Sequence, residues 1–179
     1  AHKGGPIGGG CWSINLSGES VADPTLVDFI LERIEHHAVE PGDIWFELTE
    51  TAAISHFSVA QDLMRRIRGI GAKMALDDFG SGLSSFGYLK NLPIEVIKID
   101  GQFVRGIVDD RADREMVRAI HHVGRAMGVE TVAEFVENEA ILRELVAIGI
   151  DYAQGYHIAR PCPVEKAMAL LGESARRAA

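Results

Sequence analysis

Five short apolar runs in this chain each end on a charged or ligand-type residue, and stretches with helical periodicity lie between most of them. The runs close at Ser13-Ile14-Asn15, Ile44-Trp45-Phe46-Glu47, Met74-Ala75-Leu76-Asp77-Asp78, Val96-Ile97-Lys98 and Val132-Ala133-Glu134. A buried strand that finishes on a carboxylate carries a desolvation penalty unless a cation meets the charge. Several such strands, parallel and side by side, place an acidic ring at one end of a sheet. That end is where α/β folds hold their chemistry.

The alternation is read as six βα units. Strands are expected at 11–17, 43–48, 73–78, 95–100, 129–134 and 150–156. Helices are expected from Asp23-Pro24, at 58–70, 114–127, 139–148 and 163–171, with a short one at 86–89. Leu26, Phe29, Ile30, Leu31 and Ile34 give the first helix its apolar face. Val59, Leu63, Ile67 and Ile70 do so for the second, and Met116, Ile120, Val123 and Met127 for the third. Repeated βα alternation favours a parallel sheet with helices outside. A closed (β/α)₈ barrel takes roughly 250 residues, and this chain has 179. The expectation is α/β: either an open sheet, or an incomplete TIM-type (β/α)₈ barrel with about six units present and its first strands missing.

Composition excludes several classes. A net charge of −8 disfavours a general nucleic-acid surface, which needs Lys and Arg to displace phosphate counterions. A small phosphate ligand held through metal ions stays open, because cations reverse the local charge logic. No apolar run reaches a membrane span, and no signal-peptide pattern opens the chain. Cys11 and Cys162 read as free buried thiols of a reducing compartment.

Taken singly, the candidate residues have bland readings. Asp77-Asp78 could form a cap or turn, Glu47-Leu48-Thr49-Glu50 a capping box, and Asn15 a turn. Lys98, flanked by β-branched residues, is either a structural ion pair or a cavity lysine. His36-His37 and His121-His122 are adjacent pairs without metal-ligand spacing. Asp78-Phe79-Gly80 matches the kinase triplet, but no nucleotide loop or His-Arg-Asp segment accompanies it. Ser84 and Ser85 lack a catalytic histidine. The joint order of these segments is harder to attribute to chance.

Together, SINLS (13–17), FELTET (46–51), ALDDFGSGLSSFGYLKNLPIEVIKID (75–100), TVAEFVE (131–137) and AQGYHIARP (153–161) resemble the EAL domain family of cyclic-di-GMP phosphodiesterases. The resemblance implies a modified (β/α)₈ barrel that hydrolyses one phosphodiester of cyclic-di-GMP to the linear dinucleotide with Mg²⁺ or Mn²⁺. It implies that Asn15, Glu47 and Asp77 hold a first metal, and Asp77 and Asp78 a second. Lys98 matches the residue that orients the attacking water, and Glu134 an acidic base or supporting ligand. Gln154 and Glu137 match polar residues lining the site. Glu50 matches the anchor of the loop that starts at Phe79, Gly80, Ser81 and Gly82. Hard oxygen donors suit these metals, and two cations supply both a nucleophile at neutral pH and charge stabilisation.

The Glu-Ala-Leu segment that names the family is missing, and Leu83 and Phe135 stand where the family more often has Tyr and Gly. The chain is therefore read as an N-terminally truncated domain. Residues 1–12 are a loop or cloning remnant, 13–172 the EAL-type portion and 173–179 a frayed tail. Its catalysis is expected to be impaired relative to the parent. Exposed sheet edges point to a homodimer or swapped oligomer. The resemblance further implies a cytoplasmic domain with no membrane contact of its own, in a parent that carries sensory or GGDEF domains and in some cases a membrane anchor. The alternatives are a receptor that binds cyclic-di-GMP without cleaving it and, more remotely, a protein-binding scaffold.

Overall fold

The computed structural model describes residues 11–82 and 87–168. Its elements run β1 (Trp12–Leu16), α1 (Gly18–Val21), α2 (Leu26–His37), β2 (Ile44–Thr49), α3 (Glu50–Ser55), α4 (Phe57–Gly69) and β3 (Lys73–Phe79). They continue as β4 (Val96–Ile99), α5 (Gly101–Gly106), α6 (Arg111–Met127), β5 (Glu130–Ala133), α7 (Glu139–Ile148) and β6 (Tyr152–Ala153). All neighbouring strands pair in parallel, in the order β1-β2-β3-β4-β5-β6. The result is a half-barrel with alternating helices. Among the described residues, β1 pairs only with β2 and β6 only with β5.

Strand periodicity divides the sheet into two faces. One face carries Phe46, Leu48, Met74, Leu76, Ile97, Ile99 and Ala133 into the large core under the helices. Each fully buried Leu or Ile there contributes about 1.5–3 kcal/mol of burial free energy. The other face carries a smaller cluster of Trp45, Ala75, Val96 and Val132. Lys73 lies over the Trp45 ring and pairs with Glu130 at 3.0 Å. This second face is the barrel interior, and it becomes polar toward the C-terminal strand ends.

Caps set most helix limits. Thr49, Asp100, Asp110 and Asn138 each accept a backbone N–H from the first turn of α3, α5, α6 and α7. Gly128 and Gly149 close α6 and α7 in left-handed geometry. The cap at Asp110 starts α6 three residues before the expected Arg114. Asp23 does not cap α2; its carboxylate accepts from the Thr25 N–H and hydroxyl in a local turn, and α2 starts after Thr25.

Several expectations are corrected. Phe29, Val59 and Met116 are exposed rather than inward. In α6 the buried stripe is Val117, Ile120, His121 and Gly124, because the His121 imidazole bonds to Thr131 on β5 and fixes that face inward. Helices α1, α3 and α5 have four to six residues, too few for periodicity to register. Strand β6 is two residues long: past Ala153 the chain bonds instead to Val136, whose N–H donates to the Gln154 carbonyl and whose carbonyl accepts from His157. Both cysteines are free, but Cys11 is exposed and Cys162 partly so. Leu89–Asn91 forms a 3-10 turn; Leu83 and the Ser84–Phe86 part of the preceding loop lie outside the described residues. The last helix is present at 164–168, and its expected end at Leu171 also lies outside them, as do the expected tail and residues 1–10.

Candidate active site

Lys98 sits at the centre of the polar strand ends. Its Nζ lies 2.6 Å from Glu47 Oε2, 2.8 Å from Asp77 Oδ1 and 2.9 Å from Glu134 Oε1. Strands β2, β3 and β4 and the end of β5 supply one residue each, so the sheet itself sets the spacing. All four residues are buried, none more than 9% exposed. Burial works to lower the Lys98 pKa, but hydrogen bonds and charge from the three carboxylates overcome it and raise the net value. The lysine is a fixed ammonium.

Asp78 joins this group through a backbone irregularity. Neighbouring strand residues point to opposite faces, yet here the register between β3 and β4 shifts between Leu76 and Phe79. Asp78 takes φ +53°, in the left-handed region that Asp tolerates better than most residues. Carboxylate oxygens of Asp77, Asp78 and Glu134 consequently all lie within 4.8 Å of one another. Burial raises the Asp78 pKa, with Asp77 and Asp100 adding to the shift and Lys98 opposing it. Glu134 is raised by burial as well, with Lys98 opposing and Asp77 and Asp78 adding.

One ammonium against four carboxylates leaves excess negative charge in a low-dielectric recess, an arrangement that calls for further cations. Asp77 Oδ1 is buried against the Lys98 ammonium at 2.8 Å. Three carboxylate oxygens this close together, from Asp77, Asp78 and Glu134, are hard donors that fit a divalent ion of the Mg²⁺ or Mn²⁺ type.

The remaining sequence candidates surround this core. Asn15 stands opposite Glu47 in the β1–β2 register, on the same face but on the exposed edge strand. Glu50 is buried and accepts from the Gly80 N–H at 3.0 Å and from the Tyr88 hydroxyl, bracketing the loop after the aspartates. Gln102 donates to the Gly80 carbonyl at 3.3 Å, and Ser81 donates to the Asp78 carbonyl at 2.9 Å. Gly82 lies close enough that an added Cβ would stand 3.8 Å from Glu50. Phe79 is 1% exposed in the helix-side core, so it holds the loop from below rather than facing the recess. Gln154 and Glu137 line a cavity that shares Glu134 with the carboxylate group. Tyr88, Asp100 and Gln102 are additions the sequence did not single out. Asp100, at a strand end before Gly101, was the one with a visible signal.

Comparison with known proteins decides the family. The EAL domain family model matches residues 2–161. The chain belongs to the EAL domain family. Among relatives, the EAL chain is 46% identical over 154 residues to "Cyclic di-GMP phosphodiesterase PdeB" of Shewanella oneidensis, covering 86% of this chain and 18% of that protein. It is 37% identical over 153 residues to "Cyclic di-GMP phosphodiesterase PdeF" of Escherichia coli, covering 86% and 20%. The chain thus spans about a fifth of the curated relatives it matches. Among solved structures, the "PaMucR Phosphodiesterase, c-di-GMP complex" superposes with a TM-score of 0.82 at 34% identity, over 87% of this chain and 63% of that one. The EAL domain of Mycobacterium smegmatis DcpA gives 0.86 at 28% identity, over 91% and 73%. The incomplete-barrel reading agrees with these EAL neighbours.

Proposed function

We propose that this EAL domain hydrolyses cyclic-di-GMP to the linear dinucleotide with two divalent cations, Mg²⁺ or Mn²⁺. The observation that carries the reading is the convergence of Glu47, Asp77, Asp78 and Glu134 around one charged lysine. Asn15, Glu47 and Asp77 would hold one cation, Asp77 and Asp78 the other, with Glu134 beside it. When bound, the cations supply a water acidic enough to ionise near neutral pH and charge stabilisation on the phosphoryl oxygens. Lys98 keeps its proton and orients the water by its N–H donors. Glu134, whose proton affinity burial raises, accepts a proton from that water. Gln154 hydrogen-bonds at the rim. Glu50 holds Gly80 and so fixes the loop that follows the two aspartates.

Retention of Glu47, Asp77, Asp78 and Glu134 argues for catalysis over a receptor that only binds; burying these charges without using them would destabilise the fold. The same reading gives a cytoplasmic domain in a multidomain signalling protein. Among the described residues, no helix is long and apolar enough to cross a membrane.

The test is chromatographic. The protein in its longest natural form is incubated with cyclic-di-GMP and Mg²⁺ or Mn²⁺, and again with chelator. Metal-dependent appearance of the linear dinucleotide is expected, with a lower rate for residues 1–179 alone. Binding without product from folded, metal-loaded protein would favour the receptor reading.

A further inference from the structure

Beside the carboxylate group lies a cavity of about 310 Å³ lined by Glu134, Phe135, Glu137, Gln154, Gly155 and Tyr156. Two of its walls are aromatic and open: Phe135 is 46% exposed and Tyr156 59%. Each ring has a cation on one face. The Arg105 guanidinium stands 4.2 Å from the Phe135 centroid and that of Arg160 4.7 Å from the Tyr156 centroid. Phe135 takes φ +52°, a left-handed conformation that an aromatic residue rarely adopts. That conformation seats the ring over Gly101, where an added Cβ would lie 2.1 Å from it. The neighbouring Val136 is fully buried and pegs the segment. Arg105 also pairs with Glu137 at 3.8 Å. A strained, solvent-exposed aromatic held in place from behind is arranged for a contact in front.

The geometry points to Phe135 as the stacking platform for one guanine base of the dinucleotide, with the Glu137 carboxylate and Gln154 amide facing the base edge. This rests on the cyclic-di-GMP reading above and adds the residue that grips the nucleobase. A purine offers a flat π-face for the ring and N–H donors along its edge for a carboxylate. Glu134 belongs to both the cavity and the carboxylate group, so a base held here keeps its own phosphate side directed toward the metal ligands. Phe135 touches the substrate away from the reacting atoms and sets affinity.

The experiment compares wild type with Phe135→Ala and Phe135→Trp. Loss of the ring in Phe135→Ala is expected to raise KM for cyclic-di-GMP about tenfold, with kcat falling far less, and Phe135→Trp to restore KM. A fall in kcat at constant KM, or no recovery in Phe135→Trp, overturns the assignment. The tryptophan variant also reports directly: titration with cyclic-di-GMP and with GMP should quench its emission beyond any change of Trp12 and Trp45 in wild type. That readout needs no turnover, so it decides the base slot even if the product assay fails. Absence of added quenching at millimolar nucleotide contradicts the proposal, whether or not Phe135→Ala folds.

Discussion

At the residue scale, Lys98 governs the energetics of the site. Removing it as Lys98→Met leaves Glu47, Asp77 and Glu134 buried without their cation. Breaking such a pair costs about 3–5 kcal/mol, so urea unfolding in chelator should show a loss of that order, with part of it recovered in millimolar Mg²⁺. A second residue gives a pH signature remote from the site. The Thr131 hydroxyl donates to Asp151, so it accepts from His121 Nδ1–H, and His121 Nε2 is buried without a partner. Burial lowers the His121 pKa, Arg125 and His122 add to this, and Asp151 opposes it. A folded value below the unfolded one means the unfolded chain binds the proton first. Stability is therefore complete above about pH 6.5 and is lost as pH falls from there toward the folded value. Urea midpoints measured from pH 8 to 5 should fall in this window, and His121→Gln should flatten the slope. At this scale much of the site could be read in the chain. Lys98 between β-branched neighbours had to be paired or in a cavity, and it is paired with three carboxylates. Asp77 and Asp78 were harder, because alternation sends adjacent residues apart; the left-handed turn at Asp78 that reunites them has no sequence signal beyond Asp's tolerance for it.

At the scale of elements, the chain that continues strand β6 packs backbone against backbone, with the Val136 N–H donating to the Gln154 carbonyl and the Val136 carbonyl accepting from His157. A Cβ on Gly155 would stand 2.3 Å from Val136 N and 2.4 Å from its carbonyl oxygen. Gly155→Ala must push Gln154 and Tyr156 away from Glu134, and should lower both the melting temperature and nucleotide affinity. Unchanged values for both would contradict the pairing described. Helix α6 gives a milder case. Asp110 accepts the Ala112 N–H at 2.7 Å, so Asp110→Ala should cost about 1 kcal/mol in urea unfolding. The long elements α4, α6 and α7 and strands β2 to β5 were legible because their periodicity spans several turns or a whole buried run. The shortest helices were not, because they hold too few residues to show a period, and in α6 Met116 stands off the face by which Ile120, Val123 and Met127 meet the core.

For the whole molecule, the parallel half-barrel explains why acidic strand ends recur every few tens of residues: each βα unit delivers one side chain to a common recess. The same architecture leaves apolar surface at its first edge. Ile14, Leu16, Phe29 and Phe46 line a cavity of about 380 Å³ next to the outer side of β1, and Ile14 and Phe29 are exposed. Self-association through this face is expected, and sedimentation of residues 1–179 at increasing concentration should show dimers or larger species; a lone monomer throughout would argue against it. The central claim is that Asp77, Asp78 and Glu134 gather divalent cations beside Lys98. Electron paramagnetic resonance titration of Mn²⁺ measures it most directly. Two bound ions per chain in the longest natural form, reduced in Asp77→Asn and Asp78→Asn, is the predicted result. Mn²⁺ uptake that is absent, or unaltered by both substitutions, would contradict it.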